Sequence, residues 1–512
     1  MATNIYRSAA QVTVFSTIEK SLSFVYRIIL SRVIGAEGVG IYQICLSVFA
    51  VFLTAASSGI PVTVSRMIAK QSATGSAEGK HAVVSAGVAC TLAFTVPAAV
   101  IIFFGRNLLS FLFPDDSSLK IFVLLLPGLI LTSVYAVMRG TFWGNKQFLP
   151  YSIIELAEDS VMVILGSVLV FFASSPTEGA YFATIAVLVS YIFSFIVSVG
   201  WYLRKGGKFV SPKKYVKPLL GSAMPITAMR TSTSLLNSVV ATFLPALLIS
   251  ACGYTNSEAL AVYGAVTGMS LPVLFIPCSL IGSIAVVVAP EMSENYYAGR
   301  NEKLRGDIEK TIKSSVLIAA ALIPLLFTLG GDIGVILYDN AFSGKVIADF
   351  AFMLLPMCVS MITTTALNSM NCEVKTLIYF FIGALAMLVC IFTLTPAWGI
   401  NSYMAGLTAS YVITSALNLN LLRKKCPGAR WLKYAAASAA ISAAGCLFGS
   451  FLEGITSVFM PPVANVIVCG AAVFLFTATA FFTLGMASSE PLKRLFLRRG
   501  EHRKSRSRCK SR

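Results

Sequence analysis

The sequence predicts an all-α integral membrane protein of about fourteen transmembrane helices, built as two six-helix lobes followed by two further helices. Three observations predict it. Of 512 residues, 56% are hydrophobic and only 12% charged, where soluble domains carry roughly a quarter of charged residues. Apolar stretches of about twenty or more residues recur from end to end. Each is long enough to cross a hydrocarbon layer of roughly 30 Å as a helix, and a helix satisfies its own backbone groups where water is absent. Finally, the pattern of segments repeats after about 220 residues. The period-two alternation of a barrel is not seen.

The spans are expected at 9–33, 39–66, 82–104, 119–139, 150–173, 180–203, 217–250, 258–288, 310–330, 349–371, 376–396, 400–422, 431–453 and 461–487. The first apolar segment lacks the charged start and small-residue cleavage site of a secretory signal and is expected to stay as the first span. With the N-terminus taken as cytoplasmic, the inside loops and tail hold 33 Lys and Arg and the outside loops only four: Arg32, Arg106, Lys120 and Lys345. The same outside loops carry nine acidic residues. This asymmetry orients the chain with both termini cytoplasmic. Trp143, Trp201, Trp398 and Trp431 fall at span ends, where amphipathic rings prefer to sit. The formal net charge of +18 therefore reflects membrane topology rather than nucleic-acid binding.

The repeat pairs Gly38-Val-Gly-Ile-Tyr42 with Ala259-Leu-Ala-Val-Tyr263, and Tyr202-Leu-Arg-Lys205 with Leu421-Leu-Arg-Lys424. Duplicated halves are typical of secondary transporters. They divide the chain into an N-lobe over 1–210, a C-lobe over 211–428, two appended helices over 429–490 and a basic tail over 491–512. The tail is rich in Arg, Ser and Lys and is expected to be disordered. It would be drawn to anionic lipid at about 1 kcal/mol per basic residue near the surface.

Charge inside a bilayer costs roughly 2.5–3.5 kcal/mol per group on insertion scales. The intramembrane candidates are Glu19, Lys20 and Arg27 in the first span, Glu155, Glu158 and Asp159 in the fifth, and Arg230 in the seventh. Lys20 and Arg27 share a helical face, as do the three acids. Like charges on one face are unfavourable unless protons or cations intervene. Two readings follow. In one, the acids and bases merely pair and hold the half together. In the other, Lys20, Arg27 and Arg230 line a cavity and bind an anionic head group, while Glu19, Glu155, Glu158 and Asp159 compensate charge or carry a coupling ion.

Pro61, Pro97, Pro127, Pro225, Pro245, Pro272, Pro277, Pro324 and Pro356 lie in spans and favour kinks. Gly264 and Gly268, and Gly445 and Gly449, are spaced for close helix contacts. The eleven cysteines are scattered without a C-x-x-C pair and read as small buried apolar residues. His81 and His502 are expected in a loop and in the tail, so no metal site is expected. Gly75 to Lys80 lacks the spacing of a phosphate loop, and Gly35 to Gly40 lacks a preceding strand. No loop suffices for a catalytic domain, so neither an enzyme nor ATP-driven transport by this chain alone is expected.

The run from Lys20 through Arg27, Arg32, Gly35, Gly38 and Gly40 to Tyr42 resembles the stage V sporulation protein B and polysaccharide-exporter family. So do Gly59-Ile-Pro61-Val with Ser65, and Arg139-Gly140…Gly144-Asn145…Glu155. These belong to the multidrug/oligosaccharidyl-lipid/polysaccharide (MOP) flippase superfamily, which includes lipid II flippases. The resemblance covers essentially the whole chain. It implies two six-helix lobes forming a V, like the multidrug extruders of the superfamily. It further implies that an undecaprenyl-linked sugar, such as a peptidoglycan precursor or polysaccharide unit, crosses the bacterial cytoplasmic membrane by alternating access, in cell-wall synthesis or sporulation. Arg27 matches a cavity-lining basic position of the lipid II flippases. Tyr42 stands where they carry aspartate, a departure.

The expected partners are a lipid-linked anionic sugar as substrate and anionic membrane lipid at the tail. The chain is expected to be a monomer without cofactor or metal, coupled to an H+ or Na+ gradient or the membrane potential. The alternatives are an ion-coupled organic-cation antiporter of the same superfamily, favoured by the acids of the fifth span, and a non-transporting scaffold for envelope assembly. A scaffold would keep its function without the cavity charges. A polytopic glycosyltransferase would need acidic residues in sizeable loops.

Overall fold

The computed structural model describes residues 2–73, 76–113, 115–427 and 431–483; among them there are helices and no strand. The basic tail expected over 491–512, with His502, lies outside the described residues. The helices are α1 (Ala2–Ser57), α2 (Ile60–Ala73), α3 (Ala77–Phe104), α4 (Asp116–Leu124), α5 (Leu126–Gly144), α6 (Phe148–Val170), α7 (Pro176–Arg204), α8 (Lys213–Cys252), α9 (Asn256–Gly264), α10 (Leu271–Leu274) and α11 (Ile276–Tyr297). They continue as α12 (Asn301–Tyr338), α13 (Ala341–Asp349), α14 (Leu354–Ser369), α15 (Glu373–Trp398), α16 (Asn401–Lys425), α17 (Trp431–Phe459) and α18 (Pro462–Thr483). The chain is a multi-pass, all-α membrane protein.

Eleven segments among the described residues are long and apolar enough to cross a membrane, against the fourteen expected. The difference falls at three places. The first two expected spans run together in Val14–Ser72, because α1 continues through a kink at Gly35, whose φ of 69° suits glycine. The other two places are α6 and α16. The first, 23 residues long, carries Glu155, Glu158 and Asp159; the second, 25 residues long, is rich in Asn, Ser and Thr. His81, expected in a loop, belongs to α3. Ser76 caps that helix by accepting from the Gly79 amide, so the helix begins before the apolar run that marked the span.

Large apolar side chains remain at the surface in helical stripes. Ile378, Phe381, Ile382, Leu385, Val389 and Phe392 along α15 are all exposed, the pattern of a helix facing lipid. Inside, lipid tails compete with apolar side chains, so fit rather than hydrophobicity holds the helices.

The chain packs as two compact units. Among the described residues, the first comprises those of Met1–Val273, Leu337–Ser343 and Ala384–Leu407, and the second those of Leu274–Ile336 and Gly344–Gly383 and those from Thr408 to Thr483. In the first, Ile60, Val64 and Ile68 form one face of α2 and pack on Val83 and Val84 of α3 and Val134 and Met138 of α5. The two segments paired by the sequence repeat meet here. The Gly264 backbone lies against Gly40, and a Cβ added at Gly264 would stand 2.6 Å from the Gly40 nitrogen.

In the second unit, α17 and α18 pack on α12. Pro324 has no N–H, which strands the carbonyl of Ala320 one turn back. Ser442 Oγ of α17 donates to that carbonyl at 3.1 Å. Gly445 and Gly449 bring α17 close against Pro324 and Thr328 of α12.

Candidate functional site

The first unit holds a polar cavity of about 440 Å³ lined by α1, the α1–α2 turn, α5, α6 and α8. Local sequence explains how α8 reaches it. The Gly59 amide in the turn donates to Thr227 Oγ1 at 3.1 Å. A side chain at Gly59 would collide with the Ala223 carbonyl, so the turn can lie on α8 only because it has none. One turn along α8 from Thr227, Arg230 Nη1 donates to the Ser58 carbonyl at 3.1 Å. Further along, Ser234 and Thr54 share a hydroxyl hydrogen bond of 2.7 Å.

Six charged residues line the cavity: Glu19, Glu155, Glu158, Asp159, Arg139 and Arg230. Positions 155, 158 and 159 fall on one face of α6 because they are three and four apart. The turn after Gly144 folds α5 and α6 into a hairpin, which brings Arg139 opposite Glu155 at 3.5 Å. The Arg139 guanidinium also lies over the Trp143 ring, 5.5 Å from its centroid, an attraction strengthened where water is scarce. Glu19, on α1, lies within electrostatic reach of Glu155 and Asp159.

Four carboxylates face two guanidiniums, a formal excess of two negative charges when all are ionised. In a poorly hydrated site that excess favours uptake of protons or cations. Three lining residues also present buried polar atoms without a protein partner among the described residues: Ser58 Oγ, Tyr135 Oη and Arg139 Nε. An unmet buried donor or acceptor costs about 1–3 kcal/mol.

Of the residues singled out from the sequence, Glu19, Glu155, Glu158, Asp159 and Arg230 meet in this cavity, and Lys20 and Arg27 do not line it. Lys20 is exposed on α1. Arg27 is half-buried, within electrostatic reach of the Tyr42 and Tyr338 phenols. The fourth span expected from the sequence ends at Arg139, whereas α5 runs on to Gly144 and carries Arg139 on the cavity wall. Its signal was available: sixteen residues separate Arg139 from Glu155, with a Gly144-Asn145 turn between them, which is a helical hairpin with facing opposite charges.

The polysaccharide biosynthesis protein family matches residues 5–296, more than half of the sequence, and the chain belongs to that family. Stage V sporulation protein B of Bacillus subtilis (strain 168) is 22% identical over 426 residues, covering 80% of this chain and 82% of the relative. Lipid II flippase MurJ of the same organism is 22% identical over 367 residues, covering 66% and 67%. Among solved structures, lipid II flippase MurJ in an inward closed conformation superimposes with a TM-score of 0.71 at 14% identity, over 93% of this chain and all of that one. An inward-facing multidrug resistance transporter of the MATE family, in the MOP superfamily, gives 0.68 at 16% identity, over 80% of this chain and 94% of that one. The fold is that of the MOP superfamily.

Proposed function

We propose that this member of the polysaccharide biosynthesis protein family is a flippase of the bacterial cytoplasmic membrane, carrying an undecaprenyl-linked anionic sugar across the bilayer by alternating access. The observation that carries the reading is the pair of guanidiniums, Arg139 and Arg230, sharing one polar cavity with four carboxylates. The lipid tail stays in the bilayer while the sugar-pyrophosphate crosses through the wet cavity. Arginine suits phosphate through paired hydrogen bonds.

The carboxylates supply the coupling. While ionised they hold the arginines and repel an anionic head group. When protons or Na+ neutralise them, the arginines are released to the substrate. Relatives named for lipid II flipping and for sporulation support a cell-envelope substrate. The charge count of the loops supports cytoplasmic termini.

The excess of acids over arginines favours one second reading, an ion-coupled antiporter of organic cations. The two separate in proteoliposomes. The flippase moves a fluorescent polyprenyl-pyrophosphate sugar between leaflets, measured by its accessibility to an impermeant quencher, and does not move an organic cation. Cation movement without lipid movement reverses the assignment.

A further inference from the structure

A second cavity, of about 220 Å³, lies at the C-terminal end of α5, on Met138, Thr141 and Phe142, whereas the polar cavity lies on Thr132 to Arg139. Helices α2, α5 and α7 end here and α3 begins here, so it sits at one membrane face. Its wall holds Lys80, His81 and Lys205, the amides of Asn145 and Gln147, and no carboxylate; its floor is apolar, with Ile68, Val84, Met138 and Phe142.

We propose that this cavity binds the phosphate of an anionic ligand, with the head group of an acidic phospholipid as the occupant. Four observations support it. First, Lys80 and Lys205 both line this small space, and neither forms an ion pair among the described residues. Concentrated like charge without a counter-charge is unfavourable unless an anion enters. Second, the wall is held rigidly. Tyr202 Oη donates to the Lys208 carbonyl at 3.0 Å and sits 3.0 Å from His81 Nδ1. The Val210 amide donates to Ser85 Oγ at 2.9 Å, so the segment after α7 is tied to α3 by two separate links.

Third, the depth is right for a lipid. Trp201 lines the cavity, is 37% exposed, and takes the Lys205 ammonium 5.4 Å from its ring centroid. A tryptophan at a span end marks the head-group region. By the charge count this is the cytoplasmic face, where anionic lipid attracts basic residues. Fourth, the apolar floor beneath the lysines matches a ligand with a charged head and a hydrophobic body.

The test uses the full chain with Trp143, Trp398 and Trp431 changed to Phe, leaving Trp201 as the only tryptophan. It is reconstituted into phosphatidylcholine vesicles doped with brominated phosphatidylglycerol or, at equal mole fraction, brominated phosphatidylcholine. Brominated phosphatidylglycerol is expected to quench Trp201 about twofold more. K80Q/K205Q abolishes the excess, and K80R/K205R, which keeps the charge, retains it. An excess unchanged by inorganic phosphate identifies the lipid head group. The alternative source is a soluble phosphate: no lipid excess, but inorganic phosphate shifting Trp201 emission in the parent chain and not in K80Q/K205Q. Equal quenching by both lipids with no phosphate response, or an excess that survives K80Q/K205Q, overturns the proposal.

Discussion

Arg139 and Glu155 stand sixteen residues apart in sequence and 3.5 Å apart across the hairpin of α5 and α6, and their contact closes one wall of the polar cavity. Arg139 has a second hold on the Trp143 ring. An arginine fixed from two sides is preorganised for an anion and needs little reordering to receive one.

The first prediction concerns that pair. R139Q and E155Q each leave the other partner unmet in a half-buried site and are expected to cost about 1–3 kcal/mol of stability. The double variant is expected to cost less than the sum, with a coupling of about 0.5–3 kcal/mol. Thermal unfolding in detergent, read as a double-mutant cycle, checks this; strict additivity contradicts it.

The second concerns which arginines meet substrate. R230Q is expected to weaken binding of a polyprenyl-pyrophosphate sugar by about tenfold, the loss of roughly one charge-assisted hydrogen bond. R27Q, outside the cavity lining, is expected to stay within about twofold of the parent chain. The reverse order would move the substrate toward α1, Tyr42 and Tyr338.

The third concerns the acids. Neutral isosteres at two of the four carboxylates remove repulsion without removing shape. E158Q/D159N is therefore expected to bind the anionic head group more tightly than the parent and to lose the dependence of transport on an ion gradient. Weaker binding by this variant would mean that the acids hold the substrate directly.

The fourth concerns packing. A Cβ at Gly264 collides with the Ala36 carbonyl, whereas one at Gly200 meets nothing within 4 Å. G264A is expected to destabilise by about 1–3 kcal/mol. G200A is expected to be neutral or stabilising by up to about 1 kcal/mol. Equal melting temperatures for the two would contradict the close approach of α1 and α9.

The fifth concerns the Pro324 break. S442A strands the Ala320 carbonyl and is expected to cost about 1–3 kcal/mol. The cost should fall in a P324A background, where a backbone N–H becomes available to that carbonyl. An equal loss in both backgrounds would separate Ser442 from the proline.

How much of this was legible in the sequence differs by residue. The family was readable because invisible packing is not needed to see the run from Lys20 to Tyr42 or the Gly59-Ile-Pro61 turn. The acids of α6 were readable because charge in an apolar stretch is conspicuous and helical spacing puts 155, 158 and 159 on one face. Arg139 was not recognised as a wall residue because apolar runs define where lipid ends, not where a helix ends, and α5 continues past the last apolar stretch to Gly144. His81 was put in a loop for the same reason. The separation of Lys20 and Arg27 from the cavity was not legible: shared helical face fixes direction within α1, but which helices lie opposite depends on tertiary packing. The Gly264 contact was visible only as a weak spacing, since many glycines carry no partner.

The most direct test of the central claim is native mass spectrometry of the purified chain titrated with a polyprenyl-pyrophosphate sugar and, separately, with phosphatidylglycerol. The account predicts that the sugar lipid binds at least about tenfold more tightly than phosphatidylglycerol, and that R139Q and R230Q each erase that preference. Equal affinity for the two lipids, or a preference untouched by both substitutions, would contradict it.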